Sequence, residues 1–181
     1  PRKTLPRFIN NTPVKKVHQA RYLGVLLTDK AQPDIELTER IKQATMTWKR
    51  LDLLWKIGRC SKTTKLRYWN VVIKTKLTYA LETMQLTKQQ LRKLDTFQLK
   101  GLRKILKLHT TFVDRENTNK LVRQRAAHYL YINWGKGRNK AKQQGPRPTE
   151  APMVSAQIKQ AQHTLFCHLL QEGPTGPTRK A

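Results

Sequence analysis

Arg92, Lys93, Lys100, Arg103, Lys104 and Lys107 recur at spacings that bring all six to one side of a helix. At about 100° per residue they fall within an arc of roughly 120°, and no acidic residue shares that arc. Leu91, Leu94, Phe97, Leu102 and Ile105 fill the other side. One face packs and the other is uniformly cationic, which suits tracking a phosphate backbone. Like charges four apart destabilise an isolated helix, so an unrelieved row calls for an anion. A second basic cluster, Lys136, Arg138, Lys140 and Lys142, lies among Gly, Asn and Gln, the setting of an unstructured phosphate clamp.

Other chemistries find less support. Nucleotidyl transfer needs paired carboxylates that hold two metal ions about 4 Å apart, and no two of the 11 acidic residues are adjacent. The nearest approaches are Asp34/Glu36, where helix capping accounts for the acids, and Asp114/Glu116, where a turn does. His163, Cys167 and His168 combine imidazole and thiol at helical spacing, but a zinc site wants four ligands. There is no phosphate-cradling glycine loop and no Ser/His/Asp set. No catalytic centre and no metal site are expected in this chain. Trp48, Trp55 and Trp69 sit on apolar stripes and are expected to pack in a core, whereas Trp134, beside Gly135-Lys136-Gly137-Arg138, is placed to stack on a base.

The charge balance points the same way. Lys and Arg number 37 against 11 acidic residues, a formal charge of +26, far above the magnitude of about 2–8 that serves solubility in a small domain. Such a chain repels itself unless a polyanion neutralises it, and RNA or DNA is the expected partner. No apolar run approaches the ~20 residues that span a bilayer, so no membrane partner is expected. Two cysteines far apart, Cys60 and Cys167, form no disulfide framework and suit a reducing compartment. The start at Pro1-Arg2-Lys3, without Met, suggests a piece of a longer protein.

Helices must position these residues. Residues 5–9 and 14–28 are β-leaning and flank Asn10-Asn11-Thr12-Pro13, a hairpin turn; Gly24 marks a bulge or a close approach of another backbone. Leu37, Ile41, Ala44, Trp48, Leu51 and Trp55 form one stripe of a helix over 34–57, with Asp34 as N-cap and Gly58 as stop. A second helix starts at Ser61 with Leu66, Trp69, Ile73, Leu77 and Ala80 on one face. Thr87 and Gln90 form a capping box that opens the third, to about 108. A fourth covers 119–130. Residues 134–153 read as a flexible basic linker, and a last amphipathic helix over about 154–170 carries Ile158, Ala161, Leu165 and Leu169. The expected fold is mainly α: a helical bundle preceded by a short β-hairpin, with a basic linker and a trailing helix.

From Arg21-Tyr22-Leu23-Gly24-Val25-Leu26 onward the sequence resembles the region after the catalytic motif in LINE-type (non-LTR) retrotransposon reverse transcriptases. The likeness continues through Ile35, Glu39-Arg40-Ile41, Lys65 and Arg67-Tyr68, then Leu77, Tyr79-Ala80, Glu82-Thr83 and Leu86-Thr87. It takes in Leu94-Asp95, Phe97-Gln98 and Leu102-Arg103-Lys104-Ile105-Leu106, the turn of Asp114-Arg115, Asn117 and Asn119, and Phe166-Cys167-His168-Leu169-Leu170 with the distant Pro177, Arg179 and Lys180. Cys167 stands where the family often has Gly, and Gln171 where it has Arg.

The resemblance implies that residues 1–33 close the palm as a hairpin, with Tyr22, Leu23 and Gly24 at the primer grip. Residues 34–133 would be the thumb, which grips a template–primer duplex of RNA or an RNA–DNA hybrid by its backbone. The catalytic Asp pair and its Mg would lie upstream, with the palm and fingers, in a parent RNA-directed DNA polymerase. A reading of another class stays open beside it: a free-standing basic helical RNA-binding subunit of a ribonucleoprotein, such as a ribosomal one, domesticated from such an element.

Overall fold

The computed structural model describes residues 8–9, 12–13, 17–28, 33–56, 59–132 and 145–171. The architecture is mainly helical with short antiparallel hairpins at the N-terminal end. Strands β1 (Phe8–Ile9) and β2 (Thr12–Pro13) pair with Ile9 opposite Thr12. Strands β3 (Gln19–Tyr22) and β4 (Val25–Thr28) form a second hairpin closed by Leu23-Gly24. Both turn residues have positive φ, 46° and 79°, as a tight two-residue turn that follows strand twist requires. Gly24 is therefore a turn glycine and not a bulge. What comes close to it is the Tyr79 ring, 3.7 Å from where a Cβ would stand.

The helices are α1 (Pro33–Arg50), α2 (Asp52–Lys56), α3 (Lys62–Tyr68), α4 (Thr75–Thr78), α5 (Lys88–Leu106), α6 (Asn119–Leu130) and α7 (Val154–Gln171). A π-helical segment, Trp69–Lys74, joins α3 to α4, and a 3-10 turn, Leu81–Thr83, follows. The stripe expected in the second helix is buried: Leu66, Trp69, Ile73 and Leu77 are at most 1% exposed. Ala80 leaves it, adopting φ 60° past the helix end.

The single helix expected over 34–57 is broken at Leu51. The indole of Trp55 donates to the Trp48 carbonyl at 3.0 Å, the acceptor a continuous helix would offer to Asp52. The Leu51 amide is shared between the carbonyls of Thr47 and Trp48 at 3.1 and 3.2 Å. Asp34 is not the N-cap: Pro33 occupies the first helical position, where its missing N–H costs nothing. The Asp34 carboxylate instead accepts from the Gln90 amide at 2.8 Å, joining α1 to the start of α5.

Helix α5 is the centre of the bundle, touching α1, α3, α6 and α7. Thr87 and Gln90 form the expected reciprocal cap, at 2.7 and 3.3 Å. Leu91, Leu94, Leu99, Leu102, Ile105 and Leu106 are buried along it. Gly101 lets the Trp69 indole lie against the helix backbone, since a Cβ there would stand 2.5 Å from its Nε1.

The stretch read as linker does not extend to residue 153. Arg123 brackets Ala151, donating to its carbonyl at 2.8 Å while its own carbonyl accepts from the Ala151 amide at 3.1 Å. Arg123 also pairs with Glu150 at 2.9 Å, and Ala151 is buried. The trailing helix is built into the core as a result. Gln98 accepts from the Val154 amide and Asp95 from the Ser155 amide, each at 2.9 Å, so α5 side chains cap the first turn of α7. Of its expected stripe only Ile158 is buried; Ala161, Leu165 and Leu169 are exposed. Among the described residues no helix is long and apolar enough to cross a membrane.

Candidate nucleic-acid interface

Packing on several sides of α5 leaves one side open, and the cations occupy it. Arg92, Lys93, Lys100, Lys104 and Lys107 are exposed. Among the described residues Arg92, Lys93, Lys100 and Lys107 enter no ion pair. From Arg92 to Lys107 the row runs roughly 22 Å along the axis at 1.5 Å per residue. That length faces about six phosphates of one strand at 3.4 Å spacing. Lys107 is the C-cap in the left-handed region, φ 58°, so the helix ends there and not at residue 108. Its exposed side chain still continues the row.

Arg103 does other work. Its guanidinium donates to the Asn117 carbonyl at 3.1 Å and to the Asn119 side chain at 2.7 Å. Asp114 holds the same turn, accepting from the Glu116 amide at 3.1 Å and the Asn117 side chain at 2.9 Å. Asn117 is buried. Arg103 is thus half-buried and committed to the turn before α6. Charge periodicity grouped it with its neighbours because it cannot show which cation already has acceptors.

Two recesses flank the row. One, about 380 Å³, is lined by Thr96, Lys100, Arg103, Thr110, Thr111 and Asn119, which offer hydroxyl and amide groups beside the cations. The other, about 330 Å³, lies at the far end, where Lys104 and Lys107 meet Trp48, Trp55, Asp52 and Lys65. Trp48 and Trp55 stack with ring centroids 4.4 Å apart, and the Lys104 ammonium stands 5.5 Å from the Trp48 centroid. Neither tryptophan is fully buried; Trp69 is. The stripe placed all three in the core, and the first two do pack against it, half-buried. The hydrogen bond from Lys56 to Asp52 holds that carboxyl below its ordinary pKa of 3.8, and Lys104 adds to the effect.

Tyr22, Leu23 and Gly24 form a separate, anchored feature. Tyr22 and Leu23 are exposed. The Leu23 carbonyl accepts from the Tyr79 hydroxyl at 2.9 Å and the Gly24 carbonyl from Arg40 at 2.6 Å. The Leu26 amide donates to Glu36 at 2.8 Å, and Glu36 and Arg40 form a buried ion pair. The turn is therefore fixed to α1 and to Tyr79. Lys136, Arg138, Lys140, Lys142 and Trp134 lie outside the described residues. Among the described residues no three His, Cys, Asp or Glu side chains gather as metal ligands; Cys167 and His163 approach at 3.7 Å without a third.

No family model, characterised protein or solved structure gives a significant match to this chain.

Proposed function

We propose that this chain grips RNA or an RNA–DNA hybrid by its phosphate backbone, without reading sequence. The observation that carries the proposal is the row of five exposed cations along α5 and at its C-cap, none of them in an ion pair among the described residues, on a helix fixed from several sides. A preformed row of positive charge releases counterions on contact with phosphates and gives affinity independent of base identity.

The motif order read in the sequence extends the proposal: the chain would serve as the thumb of a non-LTR reverse transcriptase, with catalysis left to a palm elsewhere in the parent protein. The anchored turn of Tyr22, Leu23 and Gly24 would then present the primer end to that palm. Titration of the whole chain with hybrids of unrelated sequence tests the binding. Equal affinities that fall steeply with salt are expected; a marked sequence preference, or salt-independent binding, refutes it.

A further inference from the structure

The recess at the C-terminal end of α5 differs in chemistry from the row that leads to it. Two of its lysines, buried Lys65 and exposed Lys56, already have partners. Lys65 is 7% exposed and donates to the Trp55 carbonyl at 2.7 Å, and Lys56 pairs with Asp52 at 2.5 Å. The Asp52 carboxylate of that pair disfavours a phosphate beside it. Trp48 and Trp55, stacked on each other, remain with Ile105 as the apolar lining. At the rim Lys107 enters no ion pair among the described residues, and Lys104 rests over the Trp48 ring. A volume near 330 Å³ sits at the small end of the roughly 300–1,000 Å³ typical of small-ligand sites.

A polyanionic strand running along α5 reaches this recess where the helix ends. We infer that the recess receives one unpaired nucleobase of that strand, stacked against the Trp48–Trp55 pair, with its phosphate held by Lys104 and Lys107 at the rim. Aromatic platforms beside backbone-tracking cations are how single strands are bound without sequence preference. A base has an apolar face for the indoles, and its linking phosphate meets the two rim lysines, so polarity inside and outside the recess matches the ligand. The site would make the chain prefer duplexes that carry an unpaired extension. The inference rests on the proposed backbone grip by α5.

The test uses the whole chain and three RNA–DNA hybrids: blunt, with a short single-stranded RNA extension, and with the same extension made abasic. The last two carry equal charge, so their ratio isolates the base. The base-bearing extension is expected to bind roughly 5- to 150-fold tighter than the abasic one, the range for stacking one base. Trp55→Leu should bring that ratio close to one. In the unaltered chain, a 5-iodouridine placed in the extension should crosslink within residues 48–56 on irradiation, which keeps the test sound if the variant folds poorly. Equal binding of the two extensions, or crosslinks only elsewhere, overturns the inference. Failure of the α5 grip itself would show separately, as weak or salt-independent binding of the blunt hybrid.

Discussion

Replacing Lys93, Lys100, Lys104 and Lys107 together with Gln removes four charges from the open side of α5 and leaves its buried side untouched. All four side chains are exposed and none donates a hydrogen bond within the described fold, unlike Arg103. Each phosphate neutralised contributes about 0.9 to the slope of log K against log salt on duplex DNA. If all four lysines meet phosphates, the slope should flatten by about 3.6, and between 50 and 200 mM salt the unaltered chain should lose about 150-fold more affinity than the variant. Exposed substitutions of this kind usually change stability by no more than about 0.5 kcal/mol each, so the fold should survive. Fluorescence anisotropy with a labelled blunt hybrid across that salt range reads the slope, and a melting curve verifies folding. A folded variant with an unchanged slope would move the binding face off α5 and refute the reasoning.

Arg103→Gln should behave differently, costing about 2 kcal/mol of stability through the charged hydrogen bonds lost to Asn117 and Asn119; urea unfolding measures it, and a cost under about 0.5 kcal/mol would return Arg103 to the phosphate row. Gly101→Ala gains about 1 kcal/mol of helix propensity, but its methyl would stand 2.5 Å from the Trp69 indole, which is 0% exposed. Overpacking of about 1–3 kcal/mol should win, lowering the thermal midpoint. Lys74 lies half-buried in the π-helical segment, and desolvation lowers its pKa from the ordinary 10.5. The folded state disfavours its charge, so Lys74→Met should raise the thermal midpoint at neutral pH. That advantage should shrink as pH climbs through the lowered pKa toward 10.5, because wild-type stability rises there; an advantage independent of pH would mean another cause.

The elements that local pattern controls were legible. The capping box of Thr87 and Gln90, the span of α6 and the stripe through Leu66, Trp69, Ile73 and Leu77 follow from spacing alone. Contacts remote in sequence decided the rest. Nothing around Leu51 marks a break; the Trp55 indole makes it by taking the Trp48 carbonyl. Residues 147–153 look like linker because they are rich in proline and poor in apolar side chains, yet Arg123 binds them through backbone and Glu150. The cap on α7 comes from Asp95 and Gln98 on α5, where neither reads as a cap. Of the six cations grouped by periodicity, five face outward and Arg103 is spent on a turn.

The same helix both organises the core and bears the charge, and relative magnitudes explain why it can. Lys100/Lys104 and Arg103/Lys107 are like-charged neighbours four apart, and Lys100/Arg103 and Lys104/Lys107 three apart. At about 0.2–0.5 kcal/mol each, these four repulsions cost about 1–2 kcal/mol. Burying Leu91, Leu94, Leu102, Ile105 and Leu106 contributes roughly 1.5–3 kcal/mol apiece. Packing therefore outweighs repulsion several-fold, so in this fold the row forms without the anion that like-charge repulsion in an isolated helix would call for. A polyanion meeting α5 meets a rigid surface, so its binding energy is not diverted into folding the helix. That is the property the proposed grip would need in order to hold and release a backbone whatever its sequence.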